Sequence, residues 1–202
     1  MSDLFEAIEA GDLARVAQLL EPWPSHKPTW PHWTPLHEAI EALEQGGSWE
    51  VFILLVRRAP TPDLWDKNHE STPLLMALFR GQAAAAQVLL AAGADPTVVG
   101  AEGDSPLLWC AQTGQRQMAA LLLAAGAGQT IDRAGGIDGL NALGWAARRL
   151  DTALVELLLA HGADPTAPDA DYQTARQRVG WGPQRAPVLK LLGAPADPAV
   201  EP

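Results

Sequence analysis

The chain has 202 residues, enough to bury a core in one or two domains, and its 48% hydrophobic against 19% charged residues exclude a chain held open by charge. With 24 acidic and 14 basic side chains, the net charge of −10 excludes the basic surface that nucleic-acid recognition needs and favours a protein partner with a basic patch. The single cysteine, Cys110, excludes an internal disulfide and a multi-cysteine zinc site. The opening MSDLFEAIEAGDL has no basic region followed by an apolar stretch, and no apolar run reaches 18 residues. The expectation is a cytoplasmic protein with no membrane contact.

In chain order, the first element pair runs from Ser2-Asp3-Leu4-Phe5 through Gly11 to Leu19-Leu20. Next comes Glu21 to Trp33, a segment with four prolines, three tryptophans and two histidines. Thr34-Pro35-Leu36-His37 then opens a pattern that returns as Thr72-Pro73-Leu74-Leu75, Ser105-Pro106-Leu107-Leu108, Asn141-Ala142-Leu143 and Thr174-Ala175. The spacings are 38, 33, 36 and 33 residues. Nine residues after Thr72 and Ser105 stand Gly81 and Gly114, and leucine runs follow that close on Gly93, Gly126 and Gly162. Each unit reads as a helical hairpin. Thr or Ser caps the first helix, Pro fills a first-turn position that needs no N–H, and a glycine ends the second helix in a left-handed turn. One hairpin cannot bury its own apolar face, so the units must stack.

The TPLH start, the glycine between helices, the LLxxGADP close and the 33-residue period together resemble the ankyrin repeat. The resemblance implies an all-α ankyrin-repeat solenoid of stacked helix-turn-helix units with a concave groove. It spans one domain, residues 1–194, with units starting near 2, 34, 72, 105, 141 and 174, and a frayed tail at 195–202. The second unit departs from the pattern, because residues 41–47 lengthen its first helix or the turn after it. The last unit is a degenerate cap, with Pro183 and Pro187 around its second helix. The expected second-helix ridge is Leu19, Leu20, Leu54, Leu55, Leu89, Leu90, Leu122, Leu123, Leu158 and Leu159, mostly buried.

In the resembled family the first helices line the groove. The fourth position after each start gives Glu6, Glu38, Met76, Trp109, Trp145 and Arg178, and the seventh and eighth give Glu9, Glu41, Phe79, Arg80, Gln112, Arg148 and Arg149. The finger tips that precede each start offer Trp30, Pro31 and Trp33, then Asn68, His69 and Ser71, then Ala101, Glu102 and Asp104, then Ile137, Asp138 and Leu140, and the last unit adds Trp181 to the seventh-position column. The partner-binding expectation thus comprises Trp30, Trp33, Glu38, Glu41, Asn68, His69, Met76, Phe79, Arg80, Glu102, Asp104, Trp109, Gln112, Trp145, Arg148 and Arg149. Aromatic anchors flanked by charges are the chemistry of a protein-binding hot spot. The competing reading packs Trp109 and Trp145 between helices.

The sequence contains no phosphate-binding glycine loop, G-x-S-x-G turn or H-E-x-x-H pair. His26, His32 and His37 match no zinc spacing, and the resemblance gives His37 a loop-bonding role. No cofactor, metal or catalytic residue is expected. The functional expectation is a non-catalytic binder, monomeric when alone, that forms a stoichiometric complex with one protein. The high alanine, arginine and tryptophan content with three lysines suggests a bacterial gene, and small acidic ankyrin proteins of bacteria include immunity proteins that sequester a toxic effector. The alternatives are a general adaptor or scaffold, and an accessory protein with a metal or small-molecule site in the segment 23–37.

Overall fold

The computed structural model describes residues 2–21, 33–66 and 71–193. Among them the regular elements are eleven α-helices and one short 3-10 helix, Ala127–Thr130; the only extended pairing consists of two isolated bridges, Asp66 with Ser71 and Pro168 with Thr174. The chain divides into two compact units, Met1–Val98 and Val99–Pro202.

The first unit contains α1 (Ser2–Glu9), α2 (Leu13–Leu19), α3 (Pro35–Glu44), α4 (Trp49–Arg58), α5 (Pro73–Phe79) and α6 (Ala83–Ala91). The first helices pack in order, α1 on α3 and α3 on α5, while α2 packs on α4 behind them. The expected capping chemistry starts each one. Thr34 accepts from the His37 N–H and Thr72 from the Leu75 N–H, with Pro35 and Pro73 in the first helical turn. Asp12 and Ser48 cap α2 and α4 in the same way, through the N–H groups of Arg15 and Val51. The extra residues after Glu41 lengthen α3 to ten residues, against seven in α5.

The second unit contains α7 (Pro106–Thr113), α8 (Arg116–Ala124), α9 (Ala142–Arg148), α10 (Thr152–Ala160) and α11 (Arg185–Leu191). Here α7 packs on α9, α8 on α10, and α10 on α11. Ser105 and Asn141 cap the first helices through the N–H groups of Leu108 and Gly144, at 3.2 and 2.7 Å. The closing repeat lacks its first helix. Residues 175–178 form turns, and the chain crosses the end of α9 so closely that a Cβ at Gly180 would stand 2.3 Å from the Arg148 carbonyl oxygen. Only glycine fits there.

Six of the ten ridge leucines are buried, in line with a mostly buried ridge. Leu20, Leu55, Leu89, Leu122 and Leu158 are fully buried, and Leu123 is 6% exposed, but Leu19, Leu54, Leu90 and Leu159 are half-buried. Adjacent residues on a helix point about 100° apart, so in every pair but Leu122 and Leu123 one member faces the first helix and the other turns toward the edge of the layer. The core is completed by the inward faces of the first helices, with Leu36, Ile40, Leu74, Leu78, Leu107 and Ala111 all nearly inaccessible.

Candidate functional site: exposed faces of the two repeat units

In the first unit the C-terminal ends of α1 and α3 enclose an acidic depression of about 580 Å³, lined by Glu9, Gly11, Glu38, Glu41, Gln45 and Gly47. Burial pushes the Glu38 carboxyl above its ordinary value, and the neighbouring Glu9 and Glu41 charges add to the rise, against a lowering hydrogen bond from Trp33. That bond runs from the Trp33 indole N–H to Glu38 Oε2 at 2.5 Å, and the indole also tilts against the His37 ring, with centroids 5.6 Å apart. Trp33, expected to stand out as a loop anchor, is therefore half-buried and tied to the base of its own unit. His37 is fully buried, with Nδ1 2.6 Å from Thr34 Oγ1, so it serves the helix start.

Arg80, expected in the partner-facing column, is engaged within the unit. Its guanidinium reaches Glu41 at 2.6 Å and Glu44 at 2.5 Å. The extended α3 makes this possible, because Glu44 lies on the added turn. Met76 needs correction as a contact residue. At 6% exposure it belongs to the core, since α5 is covered on nearly every side up to Leu78. Phe79, at the end of that helix, is 39% exposed. Trp30, Asn68 and His69 lie outside the described residues, as do His26 and His32.

In the second unit, Trp109 and Trp145 are half-buried on α7 and α9. The Arg148 guanidinium lies 5.0 Å from the Trp145 ring centre, a cation–π contact, and 3.7 Å from Asp138. Arg149 donates to the Gln112 carbonyl oxygen at 3.1 Å, joining the ends of α7 and α9. Trp109, Gln112, Trp145, Arg148 and Arg149 thus share one aromatic and cationic face. Arg178, the next in the column, turns away from it to clamp Asp169 and Asp171 at 2.6 Å each, because the helix that would have carried it is missing.

On the finger side, Glu102 is exposed and Asp104 half-buried. Burial raises the Asp104 carboxyl, with the Glu102 charge as a second cause. The glycine-rich loop is explained by the approach of neighbouring fingers, since a Cβ at Gly135 would fall 2.1 Å from the Gly103 carbonyl oxygen. Within each unit two finger turns are also stitched together. Asp63 accepts from the Asp95 N–H and Asp132 from the Asp164 N–H, while Asp95 and Asp164 accept from Thr97 and Thr166. The repeated Gly-Ala-Asp-Pro-Thr at 93–97 and 162–166 carries that signal.

Two more exposed features stand out; of their residues, sequence reasoning had Ile137 at a finger tip and Trp181 in the first-helix column, and missed Tyr172 and the whole of the apolar depression. Leu13, Trp49, Ile53 and Leu54 line an apolar depression of about 420 Å³ on the outer helices of the first unit. Ile137, Tyr172 and Trp181 are each at least 88% exposed in the second. Cys110 is fully buried, and burial pushes its thiol up to about 12, the state of an inert side chain. Among the described residues no group of three His, Cys, Asp or Glu is placed to hold a metal ion, and no helix is long and apolar enough to cross a membrane.

Residues 92–169 match the family model described as ankyrin repeats (3 copies). No curated protein matches the sequence. Among solved structures, a chain from the Bdellovibrio bacteriovorus complex of the predatory endopeptidase Bd0816 with immunity protein Bd3460 is 25% identical, with 96% of this chain and 97% of that one covered and a TM-score of 0.68. An ankyrin repeat domain from Acinetobacter baumannii AYE is 24% identical over 95% and 98% of the two chains, TM-score 0.74. The ankyrin repeat protein EF0377 is 23% identical over 95% and 96%, TM-score 0.73. Capped helical hairpins, aspartate-joined finger turns and these likenesses agree: residues 92–169 are ankyrin repeats, and the chain has the all-α fold of ankyrin-repeat proteins.

Proposed function

We propose that the chain is a non-catalytic binding protein that forms a stoichiometric complex with one protein and, as an immunity protein, sequesters a toxic effector. Ankyrin repeats are a protein-binding scaffold, so the general part of this reading follows from the family. The observation that supports the finer part is the likeness, over almost the whole length of this chain and of that one, to a chain from the structure of an endopeptidase in complex with an immunity protein. The contacts fall to the acidic rim of Glu38 and Glu41 with Phe79 in the first unit, and to Trp109, Gln112, Trp145, Arg148 and Arg149 in the second. A partner with a basic patch suits the net charge of −10, which accelerates encounter with a cationic surface.

The test is coexpression with the product of the adjacent gene, followed by sizing and calorimetric titration of the purified pair. A 1:1 complex together with protection of cells from that product supports the reading. Protection retained by variants that no longer bind would sink sequestration. A tight complex with a harmless neighbour would favour an adaptor.

A further inference from the structure

We propose that the finger tips of the second unit form a docking surface, anchored by Ile137 and Tyr172, for a protein segment that carries lysine or arginine beside an apolar side chain. Ile137 is 95% exposed and Tyr172 88%, so neither ring nor branch contributes to the core. They sit on adjoining fingers. The Ala170 N–H donates to the Gly139 carbonyl oxygen at 2.9 Å, and each anchor lies two residues from that junction, within about 7 Å of chain.

Tyr172 adopts a φ of 59°, in the left-handed region that side-chain-bearing residues rarely occupy. The loop that imposes it is fixed without help from the ring. The Tyr172 N–H donates to the Asp169 carbonyl, the N–H groups of Asp171 and Gln173 donate to Asp169 Oδ1, and Arg178 binds both aspartates. Asp169 itself has a side chain only 1% exposed. A glycine would satisfy this turn with less strain, so an aromatic ring carried into solvent on a fixed backbone is unexplained by folding. Tyrosine gives large contact area at small entropic cost, which is what an interface anchor requires.

Charge defines the partner. Glu102, Asp104, Asp138 and Asp171 lie on these fingers, and the Glu102 carbonyl accepts from the Gly136 N–H at 2.8 Å, bringing its finger beside the one that carries Ile137. Arg133 is the one basic residue within the loop segments 100–104, 132–139 and 168–173; from outside them Arg148 pairs with Asp138 and Arg178 with Asp171, so the excess negative charge beside the anchors rests on Glu102 and Asp104. Two apolar anchors in an acidic surround are complementary to an apolar side chain flanked by cations.

The inference rests on the protein-binding reading, but uses a different face from the helix surface of Trp109. The test selects peptides from a random dodecapeptide phage library on the full chain, then measures synthetic versions against variants. Selected peptides should be rich in lysine or arginine next to an aliphatic or aromatic residue. They should lose at least about tenfold in affinity on Tyr172→Ser or Ile137→Ser, keep it on Trp109→Ala, and weaken as salt rises. Peptides that bind Tyr172→Ser as well as the parent, or a library that yields none, overturn the proposal. Peptides lost on Trp109→Ala and kept on Tyr172→Ser overturn it while leaving the helix-face reading intact. As a folding control, Tyr172→Gly should leave the melting temperature unchanged or raised while removing binding; a fall would make the ring structural and overturn the anchor role.

Discussion

Burial and partnership set opposite fates for the ionisable side chains. Burial would raise the Asp169 carboxyl, but Arg178 and the N–H groups of Gln173 and Asp171 outweigh it and hold the carboxyl below its ordinary range. Such a group contributes stability that is present above its unfolded value of about 4 and is lost as pH falls through the lower folded value. Thermal melts should therefore drop through that acid window, and Asp169→Asn should lower the melting temperature at pH 7 and flatten the drop. Glu38 has the opposite sign. Its folded value is raised, so its ionised form costs stability once pH exceeds about 4.3, and Glu38→Gln should melt no lower than the parent at pH 7. A lower melting point would mean that the Trp33 hydrogen bond to the carboxylate dominates. Cys110, with its thiol pushed up to about 12 inside the core, should resist alkylation at pH 8 in the native protein and react only after denaturation. Rapid native labelling would place it at an accessible surface.

For the helices, capping and periodicity carried most of the information. Thr34, Thr72, Ser105 and Asn141 start helices where their sequence pattern places them, because a short polar side chain followed by proline or alanine satisfies the first N–H groups locally. What local pattern could not supply was the depth of each leucine, the loss of the helix after Thr174, and the inward turn of Arg80 and Arg178, all decided by neighbouring repeats. Glu44 captures Arg80 only because α3 is one turn longer than its counterparts. Exposed aromatic anchors such as Tyr172 leave no periodic signal at all. The packing account makes a direct comparison on α8. Leu122→Ala should cost about 2 to 5 kcal/mol by chemical denaturation, whereas Leu121→Ala, one residue earlier and 41% exposed, should change stability by less than about 0.5 kcal/mol. Equal losses would contradict the assigned orientation of the helix.

At the scale of the molecule, the two units present different chemistry, acidic around Glu38 and Glu41 in the first and aromatic with arginine around Trp145 in the second. The two should leave different kinetic traces. Trp109→Ala or Phe79→Ala should weaken the complex by about 2 kcal/mol, mainly through faster dissociation. Glu38→Lys with Glu41→Lys should slow association, an effect that shrinks with rising salt. Unchanged rates in both sets would move the interface off these faces. In the proposed function the chain acts by occupying its partner and not by turnover. Titrating it into a fixed amount of the adjacent gene's product, with the loss of that product's toxic activity as the signal, tests this most directly. Stoichiometric capture gives a linear loss that ends at one chain per partner molecule and that shifts to higher amounts for Trp109→Ala. Complete loss at a small fraction of one equivalent would show turnover and contradict it.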